Sequence, residues 1–251
     1  MQSLPDFRAA RLAALTAEDG WLNLTDRIDL APGTYQVGAA QEVRLSSGPD
    51  LLGTLTIAPD LSATFTLPDG RPQPFTPIPD VFPQLRADPF LLDLHTVDGI
   101  PALRVRDLRL PRQITLSHFP DSPDWVIRAT WETLAPQAAQ VPMVDGSFAP
   151  VTLTHRARFS HAGREITLTP THWKSGKPMF VFRDATAGET YPACRFLVAE
   201  DITDTAITLD FNRAISPPCA FTDLAVCPLP PPGNILPFRI EAGEKAPPRG
   251  P

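Results

Sequence analysis

The chain is predicted to be mainly β: an N-terminal helix, a β-sandwich-like half, and a C-terminal antiparallel β-sheet or barrel with proline-rich loops. Three observations predict this. Proline makes up 31 of the 251 residues, about 12% against a usual value near 5%, and it fixes φ while removing a backbone donor. Apolar residues recur mostly at period two, in short runs separated by turn residues. Only one segment carries a helical pattern.

That segment runs from Pro5 to Thr16. Proline near its start suits a first helical turn, and Phe7, Leu12 and Leu15 are expected to share a face before Glu18, Asp19 and Gly20 end it. Strands are expected at 21–30, 34–37, 42–45, 54–57, 64–67, 90–96 and 103–107, with "APG", "SSGPD", "PDG" and "VDG" as turns between them. The proline-bearing second arm of "FTLPDGRPQPF" reads as a sheet edge, and 68–89 reads as a loop. After "SHFPDSP" a second set of strands is expected at 125–133, 151–159, 165–169, 179–182, 195–199 and 206–211. A last strand at 238–241 would complete the sheet, and a hairpin is expected to turn at Ala162–Gly163. These elements group as 1–20 (helix), 21–110 (sandwich-like half) and 111–251 (C-terminal β domain).

Charge and composition narrow the function classes. A net charge of −6 and a pI near 5.3 give no electrostatic reason to expect nucleic acid or an anionic membrane as partner. The first twenty residues hold no long apolar run, and the three cysteines accompany no export signal, so a soluble cytoplasmic protein with reduced thiols is expected. The spacing of Cys219 and Cys227 matches neither a zinc knuckle nor a thioredoxin motif. The five histidines form no paired-ligand pattern, although His155 and His161 could face each other across the hairpin. No metal and no cofactor is expected. No glycine-rich phosphate loop, nucleophile elbow or dinucleotide fingerprint occurs. The sequence does not define the oligomeric state.

The segments "FRDATAGETYPACRFLVAED", "LDFNRAISPPCAFTDLAVCPLPPPGN" and "IEAGEK" resemble a widespread bacterial family known only as a domain of unknown function. Its marks are F-R-D-x-T-x-G-x-E-T-Y, D-F-N-R-A, P-P-C-A-F, C-P-L-P-P-P and E-A-G-E-K. The N-terminal "R-x-x-R-L" and "DGWL" fit as well. The resemblance implies kinship and no activity. This chain departs from it at Pro192-Ala193-Cys194-Arg195-Phe196-Leu197, where members carry G-x-G-R-F-L. The first half weakly resembles a forkhead-associated β-sandwich in "GTYQVGAAQEVRLSSGPDLLGTLTI". Ala39 follows Gly38, where phosphothreonine readers of that class place an arginine, so phosphopeptide binding is not predicted.

The polar residues of the C-terminal signature are the candidate site. Arg183, Arg195, Asp210, Asn212, Arg213 and Cys219 are candidate ligand contacts, and Glu189, Asp184 and Tyr191 are candidate catalytic groups. On a strand through "LDFNR", Asp210 and Asn212 would share one face and Leu209, Phe211 and Arg213 the other. A buried arginine demands a carboxylate, because an isolated charge is costly to desolvate. Three readings follow: a pocket whose arginines clamp a small anionic molecule, a hydrolase-type enzyme with Glu189 or Asp184 as acid/base, or a structural or interaction module with an internal ion-pair network. The stiff "SPPCAFTDLAVCPLPPPGN" stretch would serve as a rigid rim or as a structural clasp. Cys219 is either a structural thiol in an apolar loop or a nucleophile.

Overall fold

The computed structural model of the chain describes residues 2–77, 82–97 and 99–248. They form two compact units: one is Ala13–Gln113, and the other joins Met1–Leu12 to Ile114–Pro251. Helix α1 spans Leu4–Thr16, where the Ser3 hydroxyl accepts the Asp6 backbone N–H at 3.2 Å as an N-terminal cap. Leu15 is buried while Leu12 is exposed, so the expected shared apolar face of α1 is narrower than predicted. No helix among the described residues is long and apolar enough to cross a membrane.

The unit Ala13–Gln113 holds two sheets. One contains β1 (Leu24–Asp29), β7 (Gln84–Ala87), β8 (Phe90–Val97) and β9 (Ile100–Asp107) in the order β1-β9-β8-β7. The other contains β2 (Gly33–Gly38), β3 (Val43–Arg44), β4 (Gly53–Ile57), β5 (Ala63–Thr66) and β6 (Pro72–Pro74) in the order β3-β2-β4-β5-β6. Alternating side chains from both sheets, among them Val37, Leu55, Phe65, Leu92, Leu103 and Val105, meet in one apolar core. The proline-bearing arm β6 is the sheet edge, as expected. The expected loop at 68–89 is corrected: it contributes β6 and β7, and residues 78–81 of it lie outside the described residues. So does Asp98, the centre of the expected "VDG" turn. The sequence reading missed a buried ion cluster in this sheet: Asp93 accepts from Arg104 Nε at 2.7 Å and from Arg106 Nη1.

In the second unit, β10 (Val126–Pro142), β11 (Phe148–His161), β12 (Arg164–Leu168) and β16 (Ala206–Asp210) form a sheet in the order β12-β11-β10-β16. Alongside it, β13 (His172–Lys174), β14 (Lys177–Phe182) and β15 (Arg195–Val198) form a three-stranded sheet. Ala162 and Gly163 both take positive φ, +48° and +74°, which matches the turn twist a two-residue hairpin needs. Strands β10 and β11 run beyond their expected ends because a register shift between Thr133 and Gln137 absorbs Pro136. Strand β13 was not expected; it pairs with β14 across the tight turn at Ser175–Gly176.

Two further expectations are corrected. Residues 238–241 form no strand, because the Ile240 N–H donates to the Asp184 carboxylate at 2.7 Å instead of to a ladder. His155 and His161 both lie in β11 and do not face each other across the hairpin. Each stacks on a tryptophan instead, His155 on Trp131 at 4.8 Å and His161 on Trp125 at 4.9 Å between ring centroids.

Candidate functional site

Register places the first part of the site. Phe182, the last residue of β14, pairs with Arg195, the first of β15, so the Arg195 guanidinium lies over the Phe182 ring at 5.1 Å. Beyond the strand end, Arg183 turns outward and Asp184 inward, the alternation that period two predicts. Arg195 Nη1 meets Asp184 Oδ1 at 3.3 Å and donates to the Ile240 carbonyl at 3.1 Å, while Nη2 donates to the Ala242 carbonyl. Asp184 Oδ2 accepts from the Ile240 N–H at 2.7 Å, the Thr186 hydroxyl at 2.9 Å and the Thr186 N–H at 3.3 Å. Burial pulls the Arg195 pKa down from its ordinary value, and Asp184 opposes that pull.

The second cluster departs from the strand geometry expected of "LDFNR". Strand β16 stops at Asp210, and Phe211–Arg213 form a 3-10 turn that Asp210 caps. Oδ1 of Asp210 accepts the Asn212 N–H at 3.1 Å, and the turn swings Arg213 round so that its Nε reaches Oδ2 at 2.9 Å. Asp210 and Arg213, expected on opposite faces, are therefore partners. Asn212 exchanges two hydrogen bonds with the Ser122 backbone, at 3.1 and 2.9 Å. Arg213 also donates to the Gln2 carbonyl and lies 5.1 Å over the Phe7 ring.

Three members of this network were absent from the expected site. Glu244 is buried and accepts from Arg11 Nε and from the Ser216 N–H, both at 2.9 Å. Asn234 is fully buried; it donates to the Thr169 and Val181 carbonyls at 2.9 and 2.8 Å and accepts the Thr169 N–H at 2.9 Å. The signals were present: Arg11 lies in "R-x-x-R-L", Asn234 ends "PPPGN", and Glu244 sits in "EAGEK".

The expected groups are not all brought together. Arg183 is exposed, whereas Arg195 and Arg213 are buried with their carboxylate partners. Glu189 is exposed and paired with Arg239 Nη2 at 2.6 Å. Two open depressions, of about 300 Å³ along Ala138–Gln140 and Pro150–Thr152 and of about 420 Å³ beside Ala58 and Ser62, contain none of the signature residues.

Tyr191 and Cys219 belong to a different cluster. The Cys219 N–H donates to the Cys227 sulfur at 3.3 Å, and Cys194 Sγ reaches the Pro228 carbonyl at 3.5 Å. The Cys219 thiol is held well below its ordinary value, at about 4, first by Cys194 and then by Cys227 and Tyr191, against the opposing effect of burial. The Cys194 thiol is raised, first by its bond to Cys219 and then by burial, and Cys227 is raised by the same two causes. Burial and then the bond to Cys219 raise Tyr191. All three cysteines are free thiols.

A family model described as "Protein of unknown function (DUF1684)" matches residues 114–245. Among solved structures, the chain is similar to an uncharacterized protein of Haloarcula marismortui determined in solution by NMR. The two are 32% identical over 52% of this chain and 75% of that one, with a TM-score of 0.43. No curated protein matches.

Proposed function

The chain belongs to the DUF1684 family of proteins of unknown function, and on that premise we propose that its C-terminal unit is a structural or interaction module whose charged signature is an internal frame. One observation carries the reading: Asp184, Arg195, Asp210, Asn212, Arg213 and Glu244 are all buried, and each is engaged by other groups of the same unit. Turning Arg195 or Arg213 toward an anionic ligand would strand its carboxylate partner in the core, at a cost of about 3–5 kcal/mol before any ligand contact is made. Asp184 has the same difficulty as an acid/base, since its side chain has no exposed surface. Of the arginines expected in the site only Arg183 is exposed, and Arg239, the exposed arginine that meets Glu189, already holds Glu189 and Glu241.

In this reading the proline-rich stretch is a clasp. Asn234 pins its end to Thr169 and Val181, and the Leu229 N–H donates to the Pro142 carbonyl at the end of β10. Three free thiols suit a reducing compartment, so a cytoplasmic location is part of the proposal.

The test compares two substitutions by thermal and urea unfolding. Asp210→Asn should lower stability by about 3 kcal/mol, because it leaves Arg213 buried without a counter-charge. Arg183→Ala should fall within about 0.5 kcal/mol of the parent, as exposed substitutions do. An Asp210→Asn protein that unfolds like the parent would rule out the internal frame.

A further inference from the structure

In the unit Ala13–Gln113, the face of the sheet β1-β9-β8-β7 that turns away from the apolar core carries an excess of buried positive charge. Leu92, Leu94, Leu103 and Val105 point into the core, so their neighbours on β8 and β9 point the other way. Register sets Gln84, Asp93, Arg104 and Arg27 side by side on that outer face. Arg27 and Arg104 are directly opposed, an arrangement of like charges that destabilises a sheet. One carboxylate, Asp93, serves both Arg104 and Arg106, whose side chains are only 9% and 2% exposed. Arg27 is matched by Asp29 at 3.0 Å. Asp93, Arg104 and Arg106 together therefore hold one net positive charge away from water, which is costly unless something neutralises it.

Unmet polar atoms lie on the same face. Arg104 spends Nε on Asp93 at 2.7 Å, and no group among the described residues hydrogen-bonds its Nη1 or Nη2. His95 is 8% exposed, and its buried Nδ1 has no hydrogen-bond partner; Asp93 Oδ1 stands 3.8 Å away. Arg27 Nε is buried and unpartnered as well. Two aromatic rings fix the Arg104 guanidinium, Trp21 at 5.3 Å and Phe82 at 5.2 Å. The Phe82 ring also meets the His95 ring edge-on at 5.8 Å, so Arg104 and His95 flank one aromatic side chain. Phe82 is 47% exposed and stands on the solvent side of the group.

We propose that this face binds a small organic monocarboxylate with an apolar body, held by Arg104 and His95 beside Trp21 and Phe82. Nη1 and Nη2 of Arg104 present the parallel pair of donors that a carboxylate takes bidentately. His95 Nδ1 supplies a further donor in the tautomer that carries the proton there. Charge selects the class. A single negative charge balances the excess, whereas a phosphate dianion would overshoot it and leave a buried negative charge instead. Trp21 and Phe82 give the body of the ligand its apolar walls. No residue of the C-terminal frame takes part, so the site stands or falls apart from that reading.

The experiment titrates the full chain with benzoate, benzamide and inorganic phosphate at neutral pH, followed by isothermal titration calorimetry. Benzoate should bind at least about tenfold more tightly than benzamide, its neutral counterpart, because only the anion cancels the excess charge. It should also bind more tightly than phosphate. Arg104→Met removes the donor pair and leaves Asp93 to Arg106; it should melt as a folded protein and bind benzoate at least about tenfold more weakly. Phe82→Ala, at an exposed position, should weaken benzoate as well. No benzoate binding up to about 10 mM, equal affinity for benzamide, phosphate at least as tight as benzoate, or parent affinity in either variant would each overturn the proposal. The three probes on the unsubstituted chain decide the matter even if Arg104→Met folds poorly.

Discussion

Arg195 and Asp184 meet at 3.3 Å with 1% and 0% of their side chains exposed, so each neutralises the other's buried charge by direct contact, and Glu244 adds to the field at Arg195. Their remaining partners are unequal. Asp184 keeps the Ile240 N–H and both Thr186 donors, whereas Arg195 keeps two backbone carbonyls and the face of the Phe182 ring. Asp184→Asn should therefore cost about 3–5 kcal/mol and Arg195→Met less, while the double variant recovers part of the loss. A double-mutant cycle by urea unfolding checks this, and strictly additive losses would contradict it.

Gly243 stands against the same guanidinium. Its φ is +78°, and a Cβ there would lie 2.5 Å from the Ala214 carbonyl oxygen, 2.7 Å from that of Phe211 and 2.9 Å from Arg195 Nη2. Both strain and contact oppose a side chain. Gly243→Ala should destabilise by at least about 2 kcal/mol. Gly233, whose added Cβ would meet nothing within 4 Å, supplies the control: Gly233→Ala should leave the melting temperature close to that of the parent.

His95, in β8, gives the other unit a pH dependence. Burial first, and then the Arg104 charge, push its pKa down from 6.5 to about 4, against the opposing pull of Asp93; Arg27 adds to the depression. The unfolded chain takes up the proton near pH 6.5 and the folded one only near pH 4. The contribution is therefore fully present above pH 6.5 and is lost as the pH falls toward 4. The loss should be about 2 kcal/mol across that window. Urea midpoints between pH 7 and 4 should show it, and His95→Leu should flatten the slope.

The fold was legible where a local rule decides the backbone. Ala162–Gly163 marked its own turn, and the prolines of β6 marked a sheet edge. Strand ends were less legible. Whether β10 stops at Thr133 or passes Pro136 depends on a bulge against β11, a partner far along the chain. The site behaved similarly. Charge pairing was expected from the cost of burying arginine, and Arg195 does pair with Asp184. The pairing of Arg213 with Asp210 depends on a 3-10 turn that period-two reasoning does not contain. The gathering of Cys194 with Cys219 and Cys227 joins segments that no spacing rule connects.

The ion pair of Arg11 with Glu244 spans 233 residues of chain. At synthesis rates of about 5–20 residues per second, roughly ten to fifty seconds separate the emergence of the two partners from the ribosome. Residues 13–113 can close around their own core in that interval. Arg8 and Arg11 wait as solvated charges on a helix that is marginal without tertiary packing. An element made well before its partner is thus among the last to dock, and the long closure should make assembly of the C-terminal unit the slow phase of folding.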